Sequence, residues 1–137
     1  FKKPNIDNVK FIDGSWGNQM VSDEELKMIY KKSKITIIPL KNSYQPSGQS
    51  VALQSMCVGT PVLITNTDGF WDQSNFTDKE EILFVPDNNI KSWIKIIDRY
   101  YSNDELLQQL SDKGLSLIKN KYTSESFHKS FSKIIGI

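Results

Sequence analysis

Apolar positions along the chain follow two different spacings, and the changes between them mark out its elements. Ile35-Thr-Ile-Ile-Pro-Leu40 and Pro61-Val-Leu-Ile-Thr65 are short continuous runs rich in β-branched residues, which predicts buried strands. Val9-Lys-Phe-Ile12 alternates weakly and predicts a further short strand. Elsewhere the spacing is helical. Leu26, Ile29 and Tyr30 form one stripe behind Ser22, and Glu25 completes a capping box with that serine. Val51, Ala52 and Met56, with Cys57 beside them, form a second stripe closed by Gly59 and Pro61. Beyond Pro86, a third helix is predicted through Ile90, Trp93, Ile94, Ile97, Tyr100 and Tyr101. Asn103-Asp104 opens a fourth through Leu106, Leu107, Leu110, Leu117 and Ile118, and Thr123 precedes a fifth carrying Phe127, Phe131, Ile134 and Ile135. The order is strand, helix, strand, helix, strand, strand, then helices, which predicts a parallel α/β sheet covered on both faces. The last two helices follow no strand of their own, so at least one is expected to pack on something outside this chain.

Gln45-Pro-Ser-Gly-Gln-Ser-Val-Ala-Leu-Gln-Ser-Met-Cys-Val-Gly-Thr-Pro-Val62 carries the candidate chemistry. It links two predicted strands through a tight polar loop and a helix, a βαβ unit. An entry of Ser47, Gly48, Gln49 and Ser50 leaves backbone N–H groups free at the positive end of a helix dipole, a place for an anion and typically for phosphate. The plainer reading of the same four residues is an ordinary helix start.

The same segment, with others in order, resembles a known family. Gln54-Ser-Met-Cys-Val-Gly-Thr-Pro-Val62 is similar, without a gap, to the glutamate-Ala-Met-Ala-x-Gly-x-Pro-Val motif of group 1 glycosyltransferases. Val21-Ser-Asp-Glu-Glu-Leu-Lys-Met-Ile-Tyr30 looks like the helix preceding the Pro39 strand in that family. Thr67-Asp-Gly69 occupies the loop after the next strand, and Glu81-Ile-Leu-Phe-Val-Pro86 looks like the strand that follows. The resemblance is to the C-terminal domain of retaining two-domain (GT-B type) enzymes such as sucrose, glycogen and polysaccharide synthases. It implies a Rossmann-like parallel sheet flanked by helices over residues 1–137, binding a nucleotide-activated sugar.

Two family glutamates are replaced: the first, which contacts the transferred sugar in the family, falls on Pro46 and the second, which holds the ribose hydroxyls, on Gln54. An amide still pairs a diol, though without the strength of a charged acceptor. Gln45 or Gln49 takes over the sugar contact, or the donor binds differently. Because ligands of open parallel sheets sit beyond the strand C-termini, the loops after Ile12 and Thr65 are expected to line one cleft, the 13–20 loop with Gly14 and Met20 flanking the base and Asn66, Thr67, Asp68 and Gly69 lying near the sugar. The resemblance implies no cofactor and no metal, the diphosphate being met by positive groups and helix dipoles. Catalytic groups and the glycan or lipid-linked acceptor would belong to an N-terminal domain absent from this chain, leaving the excised domain inactive. The rival expectations are a non-catalytic nucleotide-binding or interaction module that kept the fold, and an unrelated doubly wound domain binding another phosphorylated ligand.

Composition adds limits. A chain of 137 residues fits one domain. A formal net charge of +1 gives no case for nucleic acid and allows at most peripheral membrane association. Arg99 is the only arginine, so a phosphate site depends on backbone N–H groups, hydroxyls or lysine. Cys57 is the only cysteine and forms no internal disulfide, in keeping with a reducing cytoplasm. His128, the only histidine, has no ligand-spaced neighbours, and Asp78-Lys-Glu-Glu81 reads as a solvated acidic run. Gly-x-Ser-x-Gly, Asp-x-Asp and Walker patterns are all missing.

Overall fold

A computed structural model describes residues 7–12, 21–70 and 73–136. Their order is α1 (Asp23–Lys32), β1 (Thr36–Ile38), α2 (Gln49–Cys57), β2 (Val62–Thr65), a short 3-10 turn (Gln73–Asn75), β3 (Leu83–Val85), α3 (Ile90–Tyr101), α4 (Asp104–Lys121) and α5 (Ser124–Ile135). The three strands form one parallel sheet in the order β1-β2-β3, with Thr36 opposite Val62 and Leu63 opposite Leu83. This is the α/β architecture expected, with the sheet between helical layers.

Central β2 is buried at all four residues, as a continuous apolar run in a parallel sheet should be. Successive side chains point to opposite faces and so feed two cores. Val62 and Ile64 join Ile38, Ala52, Met56, Phe70, Phe76, Ile82 and Ile118. Leu63 joins Leu83, Val85, Trp93, Tyr100, Leu107 and Leu110 on the other face. Helix α4 belongs to both, through Leu107 and Leu110 early and Ile118 late. Each fully buried aliphatic side chain of this kind contributes about 1.5–3 kcal/mol.

Several positions of the predicted helical stripes differ, and on α3 Ile90, Ile94 and Tyr101 are exposed. Val51, Ile29 and Cys57 are exposed and Leu26 is half-buried. The stripe of α2 is narrower than the apolar residues suggested, because Ser55 takes a core place beside Ala52 and Met56. Its hydroxyl sits between Thr36 Oγ1 at 2.8 Å and the Thr60 carbonyl at 3.1 Å, which makes its burial tolerable.

The predicted strand at Val9–Ile12 does not form. Val9, Phe11 and Ile12 are 47, 43 and 51 % exposed, and the segment lies beside Met28 and Ile29 of α1 instead of in the sheet. Alternation makes a strand only where a neighbour supplies the ladder of hydrogen bonds. The two sheet edges also differ. Phe84 N donates to Asp78 Oδ1 (2.9 Å) on the β3 side, whereas Ile37 on β1 is 43 % exposed. Asp78 is therefore more than part of a solvated acidic run. Of the C-terminal helices, α4 is built into the core, and α5 buries no residue.

Candidate functional site

Helix α2 starts differently from every other helix described. Ser22, Asn89, Asn103 and Thr123 each cap the helix that follows with a side-chain oxygen; Gly48 has none to offer. Ala52 N donates to Gly48 O (2.9 Å), so the first-turn amides of Gln49, Ser50 and Val51 are left without a side-chain cap. Gly48 adopts φ 84°, the left-handed region that favours glycine. A Cβ there would also stand 3.1 Å from both Ile64 Cδ1 and Leu40 Cδ1. The glycine thus seats the loop on the sheet, a structural duty that the reading of it as part of a helix entry did not supply.

Two of the predicted loops meet. Gly69 O accepts from Ser47 N and from Gln49 Nε2, both at 2.9 Å. The backbones approach so closely that a Cβ on Gly69 would lie 2.6 Å from Ser43 O and 2.7 Å from Gln45 O. Gly69, at the end of the loop after β2, therefore lies against residues 43–49. Gln49's amide is engaged with Gly69, whereas Gln45, Pro46, Ser50, Asn66 and Asp68 are exposed. Thr67 is 5 % exposed, and its Oγ1 has no hydrogen-bond partner among the described residues.

The strand ends beneath these loops are stitched by a closed ring of hydrogen bonds. Leu40 N donates to Thr65 Oγ1 (2.9 Å), Thr65 Oγ1 donates to Asn88 Oδ1 (2.9 Å), and Asn88 Nδ2 donates to Leu40 O. Sequence reasoning missed Asn88. The only signal was a turn-forming run, Pro86-Asp-Asn-Asn89, directly after a strand.

Gln54 lies further along α2, in its second turn. It is exposed, and it lines a cleft of about 450 Å³ between α1 and α2 with Asp23, Leu26, Lys27, Tyr30 and Tyr122. Burial raises the Tyr30 phenol above its ordinary pKa. Gly14 and Met20 fall outside the described residues. His128 is exposed on α5 against the edge of Phe127, and no cluster of metal-ligating side chains occurs among the described residues. No described helix is long and apolar enough to cross a membrane. What the junction offers chemically is uncapped amides, hydroxyls and side-chain amides, a set suited to holding an anion and a polyol.

A family profile described as "Glycosyl transferases group 1" matches residues 4–116. No curated protein matches the chain.

Proposed function

The chain belongs to the group 1 glycosyl transferases, and on that premise we propose that it is the donor-binding domain of a retaining GT-B type enzyme, taking a nucleotide-activated sugar. Family membership across 4–116 is the observation that carries the proposal. In it, the diphosphate lies at the start of α2, where the amides of Gln49, Ser50 and Val51 face it without a competing carboxylate, since the first turn holds no acidic residue. Asn66 to Gly69 flank the sugar, and Gln54 meets the ribose from the cleft beside α1. No metal takes part: amides and hydroxyls meet the diphosphate charge. Acceptor and catalytic groups come from a second domain, so this chain alone transfers no sugar. Pro46 and Gln54, standing where the family has glutamates, favour a second reading, a non-catalytic nucleotide-binding or interaction module.

The deciding experiment for nucleotide binding is an NMR titration of the chain with UDP and with GDP. Amide shifts concentrated in 47–51 and 66–69 are expected for at least one of them. If neither nucleotide moves those signals, the donor site is not here. To separate enzyme from module, Gln54→Glu is made in the full-length protein and turnover of sugar nucleotides is followed. Activity in the parent establishes the enzyme, and its absence in both proteins favours the module.

A further inference from the structure

Tyr44 is 88 % exposed, more than any other exposed large apolar side chain described. A single exposed aromatic means little by itself. The frame that holds this one is what matters. The carbonyls on either side of it, Ser43 O and Gln45 O, are the two atoms pressed against Gly69. Gln45 N donates to Ser43 Oγ (3.0 Å), and Ser47 N is tied to Gly69 O. The backbone around Tyr44 is therefore pinned while its ring stands in solvent. An aromatic side chain with two rotatable bonds on a fixed backbone presents contact area at low entropic cost. Tyr44 also belongs to the loop that leaves the C-terminal end of β1 and delivers the chain to the uncapped start of α2. Ligands of open parallel sheets sit beyond that end of the strands.

We propose that Tyr44 is the platform for the sugar of the nucleotide donor, its ring stacked on the C–H face of the hexose while the diphosphate lies at the start of α2. The proposal rests on the donor-binding reading above. A hexose has C–H groups on one face and hydroxyls around its rim. The negative face of an aromatic ring attracts the former, and the phenol O–H bonds one of the latter. Stacking also suits this particular chain. Pro46, at the place of the family's first glutamate, makes no side-chain hydrogen bond, and Gln49 is already engaged with Gly69. A ring contact holds the sugar without either.

The test is calorimetric titration of wild type, Tyr44→Ala and Tyr44→Phe with four probes: UDP, UDP-glucose, GDP and GDP-mannose. Tyr44→Ala should lose about fivefold to tenfold in affinity for the sugar nucleotide that wild type prefers. It should bind the matching plain diphosphate as wild type does, and Tyr44→Phe should retain most of the affinity. Equal losses for diphosphate and sugar nucleotide would make Tyr44 a prop for the loop and overturn the proposal; so would no loss at all. A wild type that binds diphosphates no more weakly than their sugar conjugates overturns the sugar platform and leaves the diphosphate site standing. If wild type binds none of the four, the donor-binding reading falls and takes this proposal with it.

Discussion

Helices α1 and α2 begin by opposite devices. At α1, Ser22 Oγ accepts from Glu25 N (3.2 Å), Glu25 Oε2 accepts from Ser22 N (2.9 Å), and Asp23, Glu24 and Glu25 fill the first turn with negative charge. Orphan donors and dipole are both answered inside the helix. At α2 a glycine caps nothing and the first turn is neutral. Helix α2 does not need the help, since Ala52, Ser55 and Met56 are buried and hold it on the sheet, while α1 buries only Tyr30. A helix held by its core can leave its N-terminus open; one held weakly cannot. The open start falls where the loops after β1 and β2 meet, and that coincidence supports the diphosphate site proposed above.

Replacing the two starting residues should break this comparison most visibly. Gly48→Val forces a β-branched residue into φ 84° and places its Cβ 3.1 Å from two side chains of the core. Backbone strain and overpacking together should destabilise the protein by about 3 kcal/mol. Ser22→Ala removes one cap and should cost about 1 kcal/mol. Urea denaturation of both variants gives the ratio. Near-equal losses would mean that Gly48 is an ordinary helix start and that its fit on Ile64 and Leu40 is irrelevant.

The ring beneath the open start comes next in size. Thr65→Val keeps the shape of the side chain but removes both the acceptor for Leu40 N and the donor to Asn88 Oδ1. Thr65 is 3 % exposed, so the stranded groups should cost about 1–3 kcal/mol. Hydrogen exchange should speed up at Leu40 N and at the amides of the loop leading to Gly48, while α1 stays protected. Uniform destabilisation without local exchange at Leu40 would show that the ring does not position this loop.

How legible these features were in the sequence follows from how local their causes are. The Ser22–Glu25 box spans three residues and was read directly; the other three caps also act over two or three, though Asn89 was not singled out. β2 was visible as an apolar run because burial on both faces leaves no polar position, and β1 as a β-branched run although its Ile37 faces solvent. The ring was not visible: its bonds join residues 25, 23 and 48 positions apart, and nothing in Leu40 or Asn88 announces the other. Gly48 was read only as part of a helix entry, since its contact with Ile64 exists only once the sheet has formed. Val9–Ile12 failed for the converse reason. Its pattern is that of a strand, but a strand is a relation to a neighbour, and the segment lies against α1 instead. In the candidate site, the meeting of 43–49 with the loop ending at Gly69 followed from strand order alone, while the position of Gln54 in a cleft shared with α1 required the helix packing.

That cleft is where the two helices face the same space, and it sharpens the comparison at the level of binding. Under the proposed function, Gln54→Ala should weaken nucleoside diphosphate binding by about 1 kcal/mol, one neutral hydrogen bond, and Gln54→Glu should tighten it. Calorimetry on both variants decides. If both bind as the parent does, Gln54 is a solvated residue of α2 and takes no part in the site.

The smallest effect belongs to the closed start itself. The Ser22 backbone N–H, and after it the Ser22 hydroxyl, donate to the Glu25 carboxylate and hold its pKa below the ordinary glutamate value. A carboxylate whose pKa is depressed in the folded state stabilises fully above its unfolded value, and that stabilisation is lost as pH falls through the folded one. Wild type should therefore exceed Glu25→Gln in stability by a constant margin at neutral pH, and the margin should shrink as pH drops below the ordinary glutamate range. Because the carboxylate is fully exposed, added salt should reduce the charge-dependent part of the margin. No equivalent pH dependence should arise from the first turn of α2, which holds no titratable group. Paired urea titrations from neutral to acidic pH test this. A margin unchanged by acid would show that the serine hydroxyl alone, without the charge on Glu25, closes the start of α1.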